Sequence, residues 1–191
     1  DSHIRLAGGG WAPINESPMT RSIGEGAANF SVDEGQPLSL AAMNAPLTVD
    51  IGGEGAALNV TEKGIRTLRL NDTGANAPLT FVNPIIYTAG TLTIEANSAD
   101  ANAAVIMAGE ISCSANHIVK TGPATISFDG GISTPNQWVQ IYDGVAYFTN
   151  SLATYYTHDY RIYNATKLYV TDGVKLTTSG GWFYSGFTGI G

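Results

Sequence analysis

The chain has 191 residues, of which 43% are hydrophobic and only 13% are charged, and its formal net charge is −7. This length suffices for one domain with a sizeable core, and the hydrophobic share argues against intrinsic disorder. The low charge argues against a helical bundle, and an acidic chain without a Lys/Arg cluster is a poor nucleic-acid binder.

Residues 1–28 are rich in glycine and proline and contain only scattered apolar residues. We expect this segment to form either an irregular N-terminal cap or an extended arm. A cap would cover the unpaired strand edges at the end of a repetitive fold, and an arm would add a strand to a neighbouring subunit. We favour the cap. Trp11 is the candidate anchor in both cases, including as an inter-subunit anchor.

From residue 29 the chain alternates apolar and polar residues in short runs that end at Gly, Asn or Asp. Because side chains alternate between the two faces of a strand, each run predicts a strand with one buried face. The predicted strands lie at 30–32, 38–40, 47–51, 58–60, 68–70, 79–81, 92–94, 105–107 and 111–113. Their spacing fits successive sides of a coil, and antiparallel sandwiches space their strands similarly, at roughly 8–12 residues.

The stretch 118–150 reads as three short alternating strands separated by turn residues such as Asp143-Gly144. One face of these strands is predicted to lie in the core. Its residues are Ala124, Ile126, Phe128, Val139, Ile141, Ala146 and Phe148. Cys113 alternates with Ile111 in the same way and is predicted to be a small buried hydrophobe.

This stretch also resembles a known family. Lys120-Thr121-Gly122 and the strand after it are similar to the K-T-G-x-G-T-L-x-L opening of the autotransporter-associated β-strand repeat, and 139–148 resembles its T-x-I-x-x-G-x-L-x-V close. Pro123, Ala124 and Val145-Ala146 depart from the pattern, and the match covers about one-sixth of the chain. The resemblance implies a right-handed parallel β-helix (solenoid) on a bacterial surface or secreted protein. We therefore expect an all-β solenoid over 29–191, with an antiparallel β-sandwich as the alternative.

The C-terminal part, from about residue 138, is rich in aromatic residues and holds eight of the nine tyrosines. Outward tyrosines on adjacent coils would stack about 4.8 Å apart. Flat, stiff, amphipathic side chains suit contacts with a surface glycan or a protein receptor, and they equally suit covering the last coils. The candidate contact residues are Trp138, Tyr142, Tyr147, Tyr169 and Trp182.

Residues that carry chemistry are sparse. Asp129, Asp143 and Asp172 lie beside glycine or at turns, where turn formation explains them. His158 beside Asp159 resembles half of an acid–base pair, but neighbours in a regular strand point to opposite faces, which argues against a joint role. With no metal-ligand spacing and no nucleotide-binding motif, the sequence predicts no cofactor, no metal and no catalytic residue.

These observations and the resemblance together predict a non-enzymatic scaffold, adhesin or fibre-forming subunit. The resemblance implies that it is exported to the cell surface or beyond. End-to-end self-association is expected, because an uncapped coil can be continued by backbone pairing with another subunit. The alternative is a polysaccharide-binding or polysaccharide-cleaving β-helix domain. No stretch approaches the roughly 20 apolar residues of a membrane span, and a chain that begins at Asp1 is expected to be a processed protein or a fragment.

Overall fold

The computed structural model describes residues 3–114, 117–163 and 166–185, and for Pro135 and 181–185 it describes the backbone alone. Within this part the chain forms eighteen strands and no helix. The strands are β1 (Ile4–Leu6), β2 (Phe30–Val32), β3 (Leu38–Leu40), β4 (Leu47–Val49), β5 (Leu58–Asn59), β6 (Thr67–Leu70), β7 (Leu79–Phe81), β8 (Ile85–Tyr87), β9 (Leu92–Glu95), β10 (Val105–Met107), β11 (Ile111–Cys113), β12 (Ile118–Thr121), β13 (Thr125–Phe128), β14 (Ile132–Ile141), β15 (Val145–Phe148), β16 (Tyr155–Ile162), β17 (Lys167–Val170) and β18 (Leu176–Ser185).

The strands pair in parallel, each with the strand one coil earlier and the strand one coil later. The chain therefore climbs one axis as a right-handed parallel β-helix of about seven turns, the handedness normal for parallel crossovers. This confirms the predicted all-β solenoid. The antiparallel sandwich is excluded for the described residues, since neighbouring segments do not fold back on one another.

Each complete coil has three faces. Face A contains β4, β7, β10, β13, β15 and β17. Face B contains β5, β8, β11 and the first parts of β14, β16 and β18, and face C contains β3, β6, β9, β12 and the last parts of those three long strands. The long strands turn the corner between faces B and C, where the pairing register shifts. The stretch 118–150 thus holds four strands instead of the predicted three, because Ile118–Thr121 form β12 ahead of them. The second predicted strand is also part of the longer β14, whose residues 132–134 form a further side of the coil.

The core is a column of apolar side chains inside the coils. All seven residues predicted to face the core between 124 and 148 are at most 6% exposed, and Cys113 is fully buried. Phe128 and Phe148 stack on each other with ring centroids 5.4 Å apart. Burying each such side chain stabilises the fold by about 1.5–3 kcal/mol.

The coils become shorter along the axis. On face C, Leu40 pairs with Leu70 early in the chain and Ile118 pairs with Val139 late in the chain, and the second pair is closer in sequence. The change is abrupt on face A at Val105. Its partner on the preceding coil, Leu79, is farther away in sequence than its partner on the following coil, Ile126. We call the coils before Val105 the wide coils and those after it the narrow coils. The wide coils have larger loops at their corners.

Buried asparagines hold the corners of the wide coils. Asn71 is fully buried; its side-chain oxygen accepts from the Ala42 N–H at 2.8 Å, and its amide nitrogen donates to the Ala77 and Ala103 carbonyls at 2.8 and 2.9 Å. Asn83 is also fully buried and bonds backbone groups of the preceding coil in the same way. These contacts satisfy backbone groups that the turning chain leaves without a ladder partner.

Glycines take over these corners in the narrow coils. A Cβ on Gly109 would lie 2.2 Å from the Asn83 carbonyl oxygen, and one on Gly130 would lie 2.2 Å from the Gly109 carbonyl carbon. Backbone thus packs directly on backbone where the loop is shortest. Only a residue without a side chain permits this approach.

Residues 3–28 run alongside the first strands of the same chain. β1 pairs with β2, Trp11 bridges to Leu40, and the fully buried Met19 bridges to Val49. This segment therefore forms an irregular first turn, which pairs with the first strand of face C and the first strand of face A.

The corner glycines yield a stability prediction. Gly109→Ala should lower the free energy of unfolding by about 1–3 kcal/mol, as overpacked sites do, because the new methyl group meets backbone atoms that cannot move aside. Urea denaturation followed by far-UV circular dichroism measures the change. Gly9→Ala is the matched control, since no atom lies within 4 Å of its added Cβ. Equal midpoints for the two variants would contradict the packing argument.

Candidate functional surface

Two pairs of outward tyrosines stack along the axis on the narrow coils. Tyr147 on β15 pairs in register with Tyr169 on β17, and their ring centroids lie 4.8 Å apart with planes 13° from parallel. Tyr142 and Tyr163, which directly follow β14 and β16, stack at 4.4 Å and 5°. Tyr142 is 37% and Tyr169 45% exposed. We call these four residues the tyrosine ladder. Its spacing agrees with the expected separation of about 4.8 Å between strands.

A second stack surrounds Trp138 on face C. The His117 ring lies 4.2 Å from the Trp138 ring at 4°, and the Arg161 guanidinium carbon lies 3.2 Å from its centroid. Both faces of the indole are therefore occupied by residues of this chain. We call His117, Trp138 and Arg161 the Trp138 stack. Cation–π contacts of this kind contribute about 0.5–2 kcal/mol.

In the Trp138 stack, Arg161 and not His117 carries the positive charge. Burial and then the charge of Arg161 lower the pKa of His117, so its ring is held neutral at neutral pH. Arg161 supplies the charge, and its Nη2 lies 3.6 Å from Asp159 Oδ2. The Asp159 carboxylate thus helps to hold the guanidinium against the indole.

The expectation that His158 and Asp159 point to opposite faces is wrong. His158 Nδ1 lies 3.2 Å from Asp159 Oδ2 because β16 bends between faces B and C at this point and the alternation is broken. Gly180 covers the pair; a Cβ there would lie 2.4 Å from His158 Cε1. Asp159 is 5% exposed, and its Oδ2 contacts both His158 and Arg161, so it is a buried ion-pair partner of Arg161.

Lys120 is the buried amine of the interior. It is fully buried at the corner between faces C and A, where Nζ donates to the Gly122 and Asp143 carbonyl oxygens, both at 2.5 Å. Burial lowers the pKa of Lys120 to about 8, and the nearby Asp143 charge opposes this shift. The amine therefore satisfies two backbone acceptors at a tight corner. The alternation with Ile118 could have predicted that this lysine points inward.

The remaining residues singled out from the sequence are Trp11, Trp182 and Asp143. Trp11 is half-buried, packs on Phe30 at 5.8 Å and has the Arg21 guanidinium 5.7 Å from its ring, so it is held within its own chain. Trp182 lies in β18, where its backbone pairs with Asp159 of β16. The side chain of Trp182 lies outside the described part of the structure. Asp143 closes a turn, with Oδ1 accepting from the Gly144 N–H at 2.7 Å.

The described ranges hold no cluster of three or more His, Cys, Asp or Glu residues that could ligate a metal ion. They also contain no helix with the length and apolarity needed to cross a membrane. A polar groove of about 480 Å³ lies in the N-terminal segment and is lined by residues 15–18 and 20–22 with Ala28 and Asn29. None of its lining residues belongs to the tyrosine ladder or the Trp138 stack.

Sequence reasoning found Trp138 and three of the four ladder tyrosines but missed His117 and Arg161. The contact of His117 with Trp138 follows from the pairing register. Ile118 and Val139 are register partners on adjacent coils, and His117 and Trp138 directly precede them. Detecting it required the coil length, which the sequence pattern alone did not supply.

The buried lysine predicts a pH dependence. Between about pH 8 and pH 10 the folded state has released a proton that the unfolded chain still holds, so Lys120 makes the free energy of unfolding rise with pH in this range. Lys120→Met should remove that rise, and the exposed Lys175→Met should keep it. Urea denaturation at several pH values gives the slopes. Parallel profiles for wild type and Lys120→Met would refute a buried, titrating amine.

Comparison of the chain with protein-family models, with curated proteins and with solved structures finds no match.

Proposed function

We propose that this chain is a structural scaffold: a non-enzymatic β-solenoid, exported to the cell surface or the extracellular space, that acts as an adhesin or assembly subunit. The observation that carries the proposal is the self-stacking of the outward aromatic residues. The rings of the tyrosine ladder and the Trp138 stack lie face to face along the axis. One face of each ladder tyrosine and both faces of Trp138 contact neighbouring coils of the same chain, which reduces the ring surface open to partners.

The energetics of this arrangement favour stiffness. Each aromatic pair contributes about 0.5–1.5 kcal/mol beyond the area that it buries. These pairs add to a continuous core and to backbone ladders on three faces. In a solenoid every coil contacts only its neighbours, so such contacts between adjacent coils determine the stability of the rod.

The alternative, a polysaccharide-binding or polysaccharide-cleaving domain, has less support. A sugar ring that packs on an aromatic side chain needs an open ring face, and both faces of Trp138 are covered by His117 and Arg161. Of the carboxylates near this stack, Asp159 is already an ion-pair partner. Binding measurements on acidic and neutral polysaccharides would revive this alternative if they gave saturable binding or cleavage products.

The two ends of the described solenoid differ. At the N-terminal end residues 3–28 lie along the first strands, and we propose that they act as the cap. At the other end, β17 and β18 pair on one side only within the described residues. Leu168, Val174 and Leu176 are only partly buried there, and Val170, opposite the core residue Phe148, is 44% exposed.

A strand edge that pairs on one side only, beside a partly exposed core, can be extended by another strand layer. A head-to-tail joint would place a narrow coil against a wide one. A joint between two C-terminal ends would match coils of equal size. We therefore propose self-association of two copies through their C-terminal ends, a two-fold contact that closes as a dimer and does not extend into a fibre.

The end-to-end contact can be tested with charges. Val170→Lys places an ammonium group in the proposed joint and should convert the dimer to a monomer, because an unpaired charge is costly to bury. Leu152→Lys, on a loop residue that is 94% exposed, is the control and should leave the dimer intact. Sedimentation velocity over a range of concentrations, with negative-stain electron microscopy, gives the assembly state.

Three results can be distinguished. A concentration-dependent dimer that Val170→Lys abolishes supports the joint between C-terminal ends. Filaments that grow with concentration would show head-to-tail stacking instead. Monomers at every concentration would remove self-association from the proposal and leave a scaffold that works as a single rod.

A further inference from the structure

We propose that the tyrosine ladder is a site of oxidative cross-linking, in which Tyr142 couples to Tyr163 and Tyr147 couples to Tyr169 as dityrosine. The oxidant is hydrogen peroxide acting through a phenol-oxidising haem peroxidase. The proposal stands on the ladder geometry and does not depend on the scaffold role.

The fold brings each pair into position for coupling. The rings lie 4.4 and 4.8 Å apart, and both pairs are nearly parallel. The backbone register keeps Tyr147 opposite Tyr169, so the two phenols cannot drift apart while the coils stay paired. Holding two reacting groups together in this way replaces a bimolecular encounter with an intramolecular one.

The oxidant can reach the rings. Tyr142 is 37% and Tyr169 45% exposed, and the partners Tyr163 and Tyr147 are half-buried beside them. The phenols must tilt out of the stack to bring ortho carbons to bonding distance, and the exposed outer edge of the ladder leaves room for this tilt. Buried tyrosines do not meet this condition.

Each dityrosine bond consumes one molecule of hydrogen peroxide. Each phenol loses one electron and one proton to give a phenoxyl radical, and the two radicals form a carbon–carbon bond between their ortho carbons. The hydrogen on each of these carbons then moves to the phenol oxygen and restores both aromatic rings. The two electrons and two protons reduce hydrogen peroxide to two water molecules.

The chain provides internal controls for proximity and access. Tyr156 also lies on the outer side of a strand, yet its register neighbours are Ser133 and Thr177, which have no ring. Tyr155 and Tyr160 are at most 1% exposed and lie edge-on to Phe148. Coupling should therefore select the ladder pairs among the tyrosines with described side chains.

A cross-link would join adjacent coils covalently. Tyr142 and Tyr163 lie one coil apart along the chain, and so do Tyr147 and Tyr169. Closing a loop of one coil restricts the unfolded chain, as a disulfide does. The oxidised protein should unfold at a higher urea concentration than the untreated protein.

The test treats the dilute folded chain with haem peroxidase and hydrogen peroxide, then digests it and identifies linked peptides by mass spectrometry. We expect peptide pairs joining Tyr142 to Tyr163 and Tyr147 to Tyr169, each lighter than the sum of its parts by two hydrogens. Tyr163→Phe should lose the first link and keep the second, Tyr169→Phe should do the reverse, and Tyr156→Phe should keep both. Phenylalanine preserves the ring, so the stacks and the fold remain.

The proposal is overturned if the linked peptides are only intermolecular, or if links through Tyr156 are as abundant as the ladder links. It is equally overturned if protein unfolded in urea gives the same intramolecular yield. Far-UV circular dichroism of each variant confirms that the folded protein was compared.

Discussion

Parallel pairing between successive coils is the constraint on which this structure depends. Because each strand bonds to the strand one coil away in register, equivalent side chains from successive coils come about 4.8 Å apart. Inside the coils this spacing produces a column of Leu, Ile, Val and Phe residues. Outside, it makes stacks such as Tyr147 on Tyr169. The backbone ladder therefore determines both the core and the surface, and any residue acts together with its neighbour one coil away.

The shortening of the coils changes how the corners are held. In the wide coils a loop is long enough to leave backbone groups unpaired, and Asn71 and Asn83 satisfy them with their side chains. In the narrow coils Gly109 and Gly130 let backbone meet backbone, so no side chain is required. Lys120 supplies a donor at another tight corner. Asparagine and lysine side chains thus satisfy backbone groups at the corners, whereas glycine lets the backbone of adjacent coils pack directly together.

Local alternation was enough to predict which residues enter the core, because side-chain direction depends only on neighbouring residues. The buried positions of Ile126 and Val139 follow from it. Contacts between coils were harder to predict, since they depend on a coil length that changes along the axis. The contact between His158 and Asp159 was missed for a different reason: the strand bends at a corner, and strict alternation fails there. The sequence therefore predicts which face of a strand a side chain lies on better than it predicts which residue of the next coil it contacts.

This distinction bears on function. An aromatic cluster in a sequence is equally consistent with a ligand platform and with an internal support, and only the ring geometry separates the two. In this chain the ring faces point along the axis toward other rings, or toward Arg161 in the case of Trp138. Under the proposed scaffold function, these stacks add rigidity to the solenoid by joining adjacent coils, and partners are to be sought first at its ends and at the exposed edges of its tyrosines.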